Sequence, residues 1–279
     1  MKTKKAIRPS FSMAEKEENR TELHLRAPQS WAELSARQLK YVSWLLTRCT
    51  LTPAELQAYA FVRFTGLRIE SRQGGQWICS YRQQLFTLSP EQALAFSRKM
   101  DFLTSGIGEI VPLPRMAGKT HVDPRLCGTP FKQYLACENY YQAYLFTKNA
   151  DWLGRLAACF YSGGRKFNDA ETQTSARRFN KQPPHLLYTA FLWYYGLKTV
   201  LQTHFPYFFQ KTETILEDEE PQALDMRGQI HQMLRALTGG DVAKTEAVYN
   251  AETWTALAEL NAKAMENKEL ENRIQQYKK

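Results

Sequence analysis

The stretch Leu186-Leu187-Tyr188-Thr189-Ala190-Phe191-Leu192-Trp193-Tyr194-Tyr195-Gly196-Leu197 is the longest apolar run in the chain, interrupted only by Thr189 and Gly196. It falls short of the roughly 18 to 20 apolar residues needed to cross a bilayer, so it reads as a helix rather than a membrane span. Extended over residues 186–201, with Pro206, Phe208 and Phe209 beyond its end, such a helix is apolar on most of its faces. A helix without a polar face belongs at the centre of a core. The fold is therefore expected to be mainly α and assembled around this element.

The neighbouring sequence supplies helices to pack on it. Thr129-Pro130 opens a pattern with Phe131, Tyr134, Leu135, Tyr141, Tyr144, Leu145 and Phe146, and Asn149-Ala150-Asp151 opens a second with Trp152, Leu153, Leu156, Cys159 and Phe160. These two should form a helical hairpin. Further upstream, Ser30-Trp31-Ala32-Glu33 reads as a capping box for a helix over residues 31–48, and Thr52-Pro53-Ala54-Glu55 and Ser89-Pro90-Glu91-Gln92 repeat the signal with proline at the first helical position. Between the last two, residues 67–70 and 77–81 flank Gln73-Gly74-Gly75-Gln76, a hairpin signal. Residues 107–113 offer a third strand, which Pro112 and Pro114 would confine to an edge.

The expected organisation is a flexible arm over residues 1–26, an α+β subregion over 27–115 whose small β-hairpin element lies near 65–115, and a helical core over 116–212. A C-terminal helical extension over 213–279 would follow, entered through the acidic run Glu217-Asp218-Glu219-Glu220. The Pro- and Gly-rich residues 114–130 suggest a soft boundary. Residues 163–184 carry Gly-Gly, Pro-Pro and little periodicity, and read as a long surface excursion.

Composition narrows the function classes. The chain has 279 residues, 43% of them hydrophobic, and a net charge of +9. It is large enough to bury its own core. Its five cysteines, Cys49, Cys79, Cys127, Cys137 and Cys159, never fall in C-x-x-C spacing, and the basic residues after Met1 lead into polar sequence rather than the apolar centre of a signal peptide. The cytoplasm is the expected compartment, with reduced thiols and no membrane partner.

No motif specifies catalysis. Gly118-Lys119-Thr120 resembles the end of a phosphate-binding loop, but Leu113 stands where that pattern needs glycine. Gly106-x-Gly108 lacks the third glycine of a dinucleotide site, and the five histidines show no metal-ligand spacing. His121 and Asp123 share a loop and could face Cys127 or another nucleophile, but a triad is defined by geometry that sequence spacing does not supply, and a His near an Asp on a loop is ordinarily surface chemistry. Glu138 lies among Tyr134, Tyr141 and Tyr144, an arrangement that could bury its carboxylate against phenols and raise its pKa, although the ordinary reading is a helix edge where the hydroxyls meet water. The chain is accordingly expected to be non-enzymatic, with no catalytic residue, metal or cofactor.

Two patterns point to partners instead. From Arg155 to Lys181 six cations stand against two anions, and Arg165-Lys166-Phe167 and Arg177-Arg178-Phe179 pair cations with aromatics as single-strand binders do. Arg165, Lys166, Arg177 and Arg178 are candidates for an acidic partner or nucleic acid. In the last segment Trp254, Leu257, Leu260, Ala264, Leu270, Ile274 and Tyr277 form an apolar stripe interrupted by Asn267 and flanked by charge. Trp254, Leu257, Leu260, Ile274 and Tyr277 are the candidates for helix docking.

The pattern Ile230-x-x-Met233-Leu234-x-x-Leu237-Thr238-Gly239-Gly240-Asp241-x-x-Lys244, followed by Val248, Trp254, Leu257 and Leu260, resembles the endings of small helical proteins from phage and prophage tail-gene clusters. The block from Phe191 to Lys198 is similar to the same group, and the resemblance covers about half of the chain. It implies a tail assembly chaperone or minor structural component that binds a tail or tape-measure protein without catalysis, in the host cytoplasm or associated with a virion. The greater length of this chain and the hairpin at Gly74-Gly75 depart from that group. A nucleic-acid-binding accessory protein using residues 163–184 is the alternative.

Overall fold

The structure, a computed structural model, describes residues 25–48, 50–209 and 226–277. The expected arm up to residue 24 and the acidic run at residues 217–220 lie outside the described residues. Among the described residues are ten α-helices and two small antiparallel sheets, so the protein is mainly α with a minor β element.

A 3-10 turn, Trp31–Glu33, precedes α1 (Ala36–Arg48). The expected cap at Ser30 makes no side-chain capping bond. The reciprocal bonds form one turn later, where the Gln38 amide donates to Ser35 Oγ at 3.3 Å and the Ser35 amide donates to Gln38 Oε1 at 2.9 Å. Trp31 is drawn inward instead, its indole Nε1 donating to the carbonyls of Phe102 and Gly106. The boxes at Thr52 and Ser89 start α2 (Pro53–Thr65) and α3 (Pro90–Ser97) as expected.

Between those helices, β1 (Arg68–Gln73), β2 (Gln76–Tyr81) and β3 (Gln84–Leu88) form a meander. Gly74 and Gly75 both have positive φ, as the two-residue turn that matches strand twist requires. The second turn has the same feature at Arg82 and Gln83, which carry no glycine signal, and that is why β3 escapes a reading of the sequence. The strand expected over residues 107–113 does not form. That segment lies along the central helix, where a Cβ on Gly196 would meet the Gly108 carbonyl oxygen at 2.2 Å. A second hairpin pairs β4 (Arg115–Met116) with β5 (Lys119–Thr120), so Gly118-Lys119-Thr120 forms a turn and strand rather than a phosphate loop.

The helical part comprises α4 (Phe131–Thr147), α5 (Asp151–Phe160), α6 (Asp169–Phe179), α7 (Pro184–His204), α8 (Met226–Thr238), α9 (Thr245–Asn250) and α10 (Thr253–Tyr277). Helices α4 and α5 pack against each other as the hairpin expected from their patterns, and α7 is the central helix. Trp193 of α7 stacks on Phe160 of α5 at 3.5 Å between ring centroids. Helix α1 crosses onto the start of α7, where Ser43 Oγ donates to the His185 carbonyl at 2.5 Å. One hydrophobic cluster takes in Leu39 and Val42 of α1, Phe131 of α4, Leu192 of α7 and Leu257 of α10, so residues 114–130 do not separate two cores. No described helix is long and apolar enough to cross a membrane.

Residues 163–184 are not the irregular excursion expected. Asn168 Oδ1 accepts from the Glu171 amide at 3.3 Å and starts α6, which buries only Thr172, Ala176 and Phe179. Three small or isolated contacts per three turns leave too weak an apolar period to read, yet they suffice once α5 supplies the facing surface.

Candidate functional site

Helix α10 begins as part of the core. Thr253 donates from both its amide and its hydroxyl to the Thr129 carbonyl, at 2.9 and 2.8 Å. Glu252 accepts from the Gly128 amide at 3.0 Å and the Thr255 amide at 2.8 Å. Trp254 Nε1 donates to the Arg125 carbonyl at 2.7 Å while its ring packs on His204 and Phe205. Leu257 and Leu260 are 0% and 4% exposed. The structure thus corrects three of the five docking candidates: Trp254, Leu257 and Leu260 are engaged inside this chain, because the first two turns of α10 anchor the helix to the rest of the fold.

The other two stand free of it. Beyond Ala264 every described residue of α10 is exposed, and Ile274 and Tyr277 are 45% and 91% exposed. Leu270, 57% exposed, joins them at the spacing i, i+4, i+7 that places side chains on one face. Residues 265–277 extend this face over roughly 20 Å at 1.5 Å per residue.

The four basic candidates divide between two places. Arg165 and Lys166 line a cleft of about 640 Å³ together with Lys132 and Phe167, with Asp123, Cys127 and Glu252 across it. Arg177 and Arg178 lie exposed on α6, outside that cleft. Arg178 reaches over the second hairpin, where its Nη2 would lie 3.3 Å from a Cβ on Gly118. Lys119 of that hairpin donates to Ser175 Oγ at 3.2 Å.

The loop holding His121, Asp123 and Cys127 has a structural arrangement. His121 stacks on Phe160 at 5.3 Å, with Nδ1 2.5 Å from the Val122 carbonyl oxygen. Asp123 Oδ1 accepts from the amides of Arg125 and Cys127 at 2.8 and 3.1 Å. Partial burial pushes the Cys127 thiol up, and the Asp123 and Glu252 carboxylates add to this. A thiol shifted in that direction carries less thiolate at neutral pH, opposite to what activates a nucleophile. No group of three or more His, Cys, Asp and Glu side chains is placed to hold a metal among the described residues.

Glu138 has more partners than a helix edge would provide. It is 7% exposed and accepts from Tyr194 Oη at 2.8 Å, Gln142 Nε2 at 2.6 Å and Lys198 Nζ at 2.6 Å. Lys198 also sits over the Tyr141 ring at 5.3 Å. Burial pushes the Tyr134 and Tyr194 hydroxyls well up, and the Glu138 charge acts in the same direction. Tyr194 and Lys198 lie on α7, about sixty residues away in sequence, so local spacing gave no sign of them. The network forms one wall of a 520 Å³ pocket whose other sides include Gln229 and Met233 of α8 and Asn267 of α10.

Comparison with models of protein families, with curated proteins and with solved structures finds no match. The functional reading therefore rests on these surfaces.

Proposed function

We propose that this chain is a non-enzymatic interaction protein, an assembly factor or minor structural component of the phage tail type, which docks on another protein through the distal half of α10. The observation that carries this reading is the exposed face of Leu270, Ile274 and Tyr277 on a helix whose proximal half is firmly anchored. An apolar helical stripe of this spacing fits a hydrophobic groove on a partner, the helix-in-groove mode of recognition. The resemblance of the C-terminal third to phage tail-cluster proteins makes a tail or tape-measure protein the partner to look for.

The test compares full-length protein with a chain ending at Ala264 and with L270S/I274S as baits, using purified tail and tape-measure proteins as prey. Truncation there retains Trp254, Leu257 and Leu260 in the core, so loss of binding reports on the projecting face and not on unfolding. Capture by the full chain alone supports the proposal. Equal capture by all three forms, or by none, would overturn it.

A further inference from the structure

The basic cleft does not end at Lys132 and Phe167. A second concavity of about 510 Å³ shares those two residues with it, and a third of about 400 Å³ shares Ala136, Asp169 and Tyr249 with the second. Together they form a groove along one side of α4, from Lys132 to Tyr140. Cations stand at both ends of its walls with aromatic rings between them: Arg165 and Lys166, then Phe167, then Tyr249, then Trp152 with the Arg155 guanidinium 4.8 Å from its ring centroid.

The charges are available in unequal measure. Asp123 and Glu252 direct oxygens to backbone amides, and Asp169 accepts from Gln173 Nε2 at 3.1 Å. Among the described residues, Lys132 and Lys166 have no carboxylate partner, and Arg165 has only Glu171 at 3.9 Å, on the exposed surface. The groove thus combines cations free to meet an external anion with the half-buried aromatic side chains of Phe167 and Tyr249. Phosphate contacts by Lys and Arg, interleaved with aromatic platforms on which bases stack, are the requirements for holding a single strand without reading its sequence. An acidic protein would use the cations but leave the ring faces without a role.

We propose that this groove binds a segment of single-stranded nucleic acid, with phosphates on Lys132, Arg165 and Lys166 and bases against Phe167 and Tyr249. The site differs from the surface expected from sequence, since Arg177 and Arg178 fall outside it and Lys132, Trp152 and Tyr249 enter it from other helices.

Fluorescence anisotropy of a labelled mixed-sequence 15-nucleotide DNA, titrated with full-length protein over a range of salt, tests the proposal. Binding should weaken as salt rises, with a log–log slope near −2 for about three phosphate contacts at ~0.7 each. R165E/K166E, both on an exposed loop, should weaken binding at least ~10-fold and flatten the slope by about 1.4. R177E/R178E should stay within about twofold of the wild type, because neither residue lines the groove. Tyr249→Ala should weaken binding of the oligonucleotide severalfold while leaving binding of inorganic polyphosphate unchanged. Absence of saturable binding by the wild type at low salt, an equal loss in both double variants, or equal competition by polyglutamate of matched charge would each overturn the proposal.

Discussion

Helices α7 and α10 have 21 and 25 residues and comparable length, yet the fold uses them in opposite ways. Helix α7 buries ten residues distributed along its whole length, and neighbours close on it from several sides: α1 at Ser43, α4 through Glu138 and Tyr141, α5 through Phe160, and the extended segment at Gly108. Helix α10 buries only Thr253, Ala256, Leu257 and Leu260, all within its first eight positions. Apolar character on most faces places a helix among neighbours, whereas a single stripe holds a helix only as far as a neighbour extends. The apolar residues past that point, Leu270, Ile274 and Tyr277, are exposed among the described residues.

The largest test of this contrast is Trp193→Ala in α7. Removing a fully buried indole that stacks on Phe160 and donates to the Pro124 carbonyl should cost about 3–5 kcal/mol in chemical denaturation. A loss below about 1 kcal/mol would show that the centre of the fold lies elsewhere. Leu257→Ala, in the anchored half of α10, should cost about 2–5 kcal/mol by the same measurement, because its side chain is wholly enclosed.

A pH titration examines the α7 side of the comparison. Burial against α4 pushes the Tyr188 hydroxyl up to about 12, and the neighbouring Tyr144 adds to the shift. The folded state thus holds this proton more tightly than the unfolded chain, whose tyrosines titrate near 10. The stabilisation is complete below pH 10 and is lost as pH rises toward 12. Tyrosinate absorbance should show groups that ionise only with alkaline unfolding, and Tyr188→Phe should reduce the fall in stability over that interval.

The smallest effect belongs to the free end of α10. L270S/I274S should change stability by no more than about 0.5 kcal/mol, since the two side chains are exposed rather than packed in the described core, while abolishing partner capture. A cost like that of Leu257→Ala would mean that the distal half is packed after all, and the contrast between the two helices would fail.

The parts of the fold legible in the sequence are those governed by nearby residues. The caps at Thr52 and Ser89 and the turn at Gly74-Gly75 involve atoms within a few positions of one another, so residue type alone announces them. The turn at Arg82-Gln83 adopts the same positive φ without the residues that favour it, and α6 forms on a short apolar pattern because α5 faces it. For the candidate surfaces, the terminal stripe and the cations at Arg165 and Lys166 were readable. That Trp254, Leu257 and Leu260 face inward was not, because the stripe looks alike whether its neighbour belongs to the same chain or another.

Residue pattern alone indicated that α7 would be central and that the chain would be mainly helical with a small β-hairpin element. Only the tertiary structure decided where the stripe of α10 leaves the core, that Glu138 meets Tyr194 and Lys198, and that Lys132, Phe167 and Tyr249 border one groove. The reason is physical: propensity, capping and periodicity act over a few residues, whereas burial and the pairing of charges depend on which distant segments the collapsed core brings within a few ångströms.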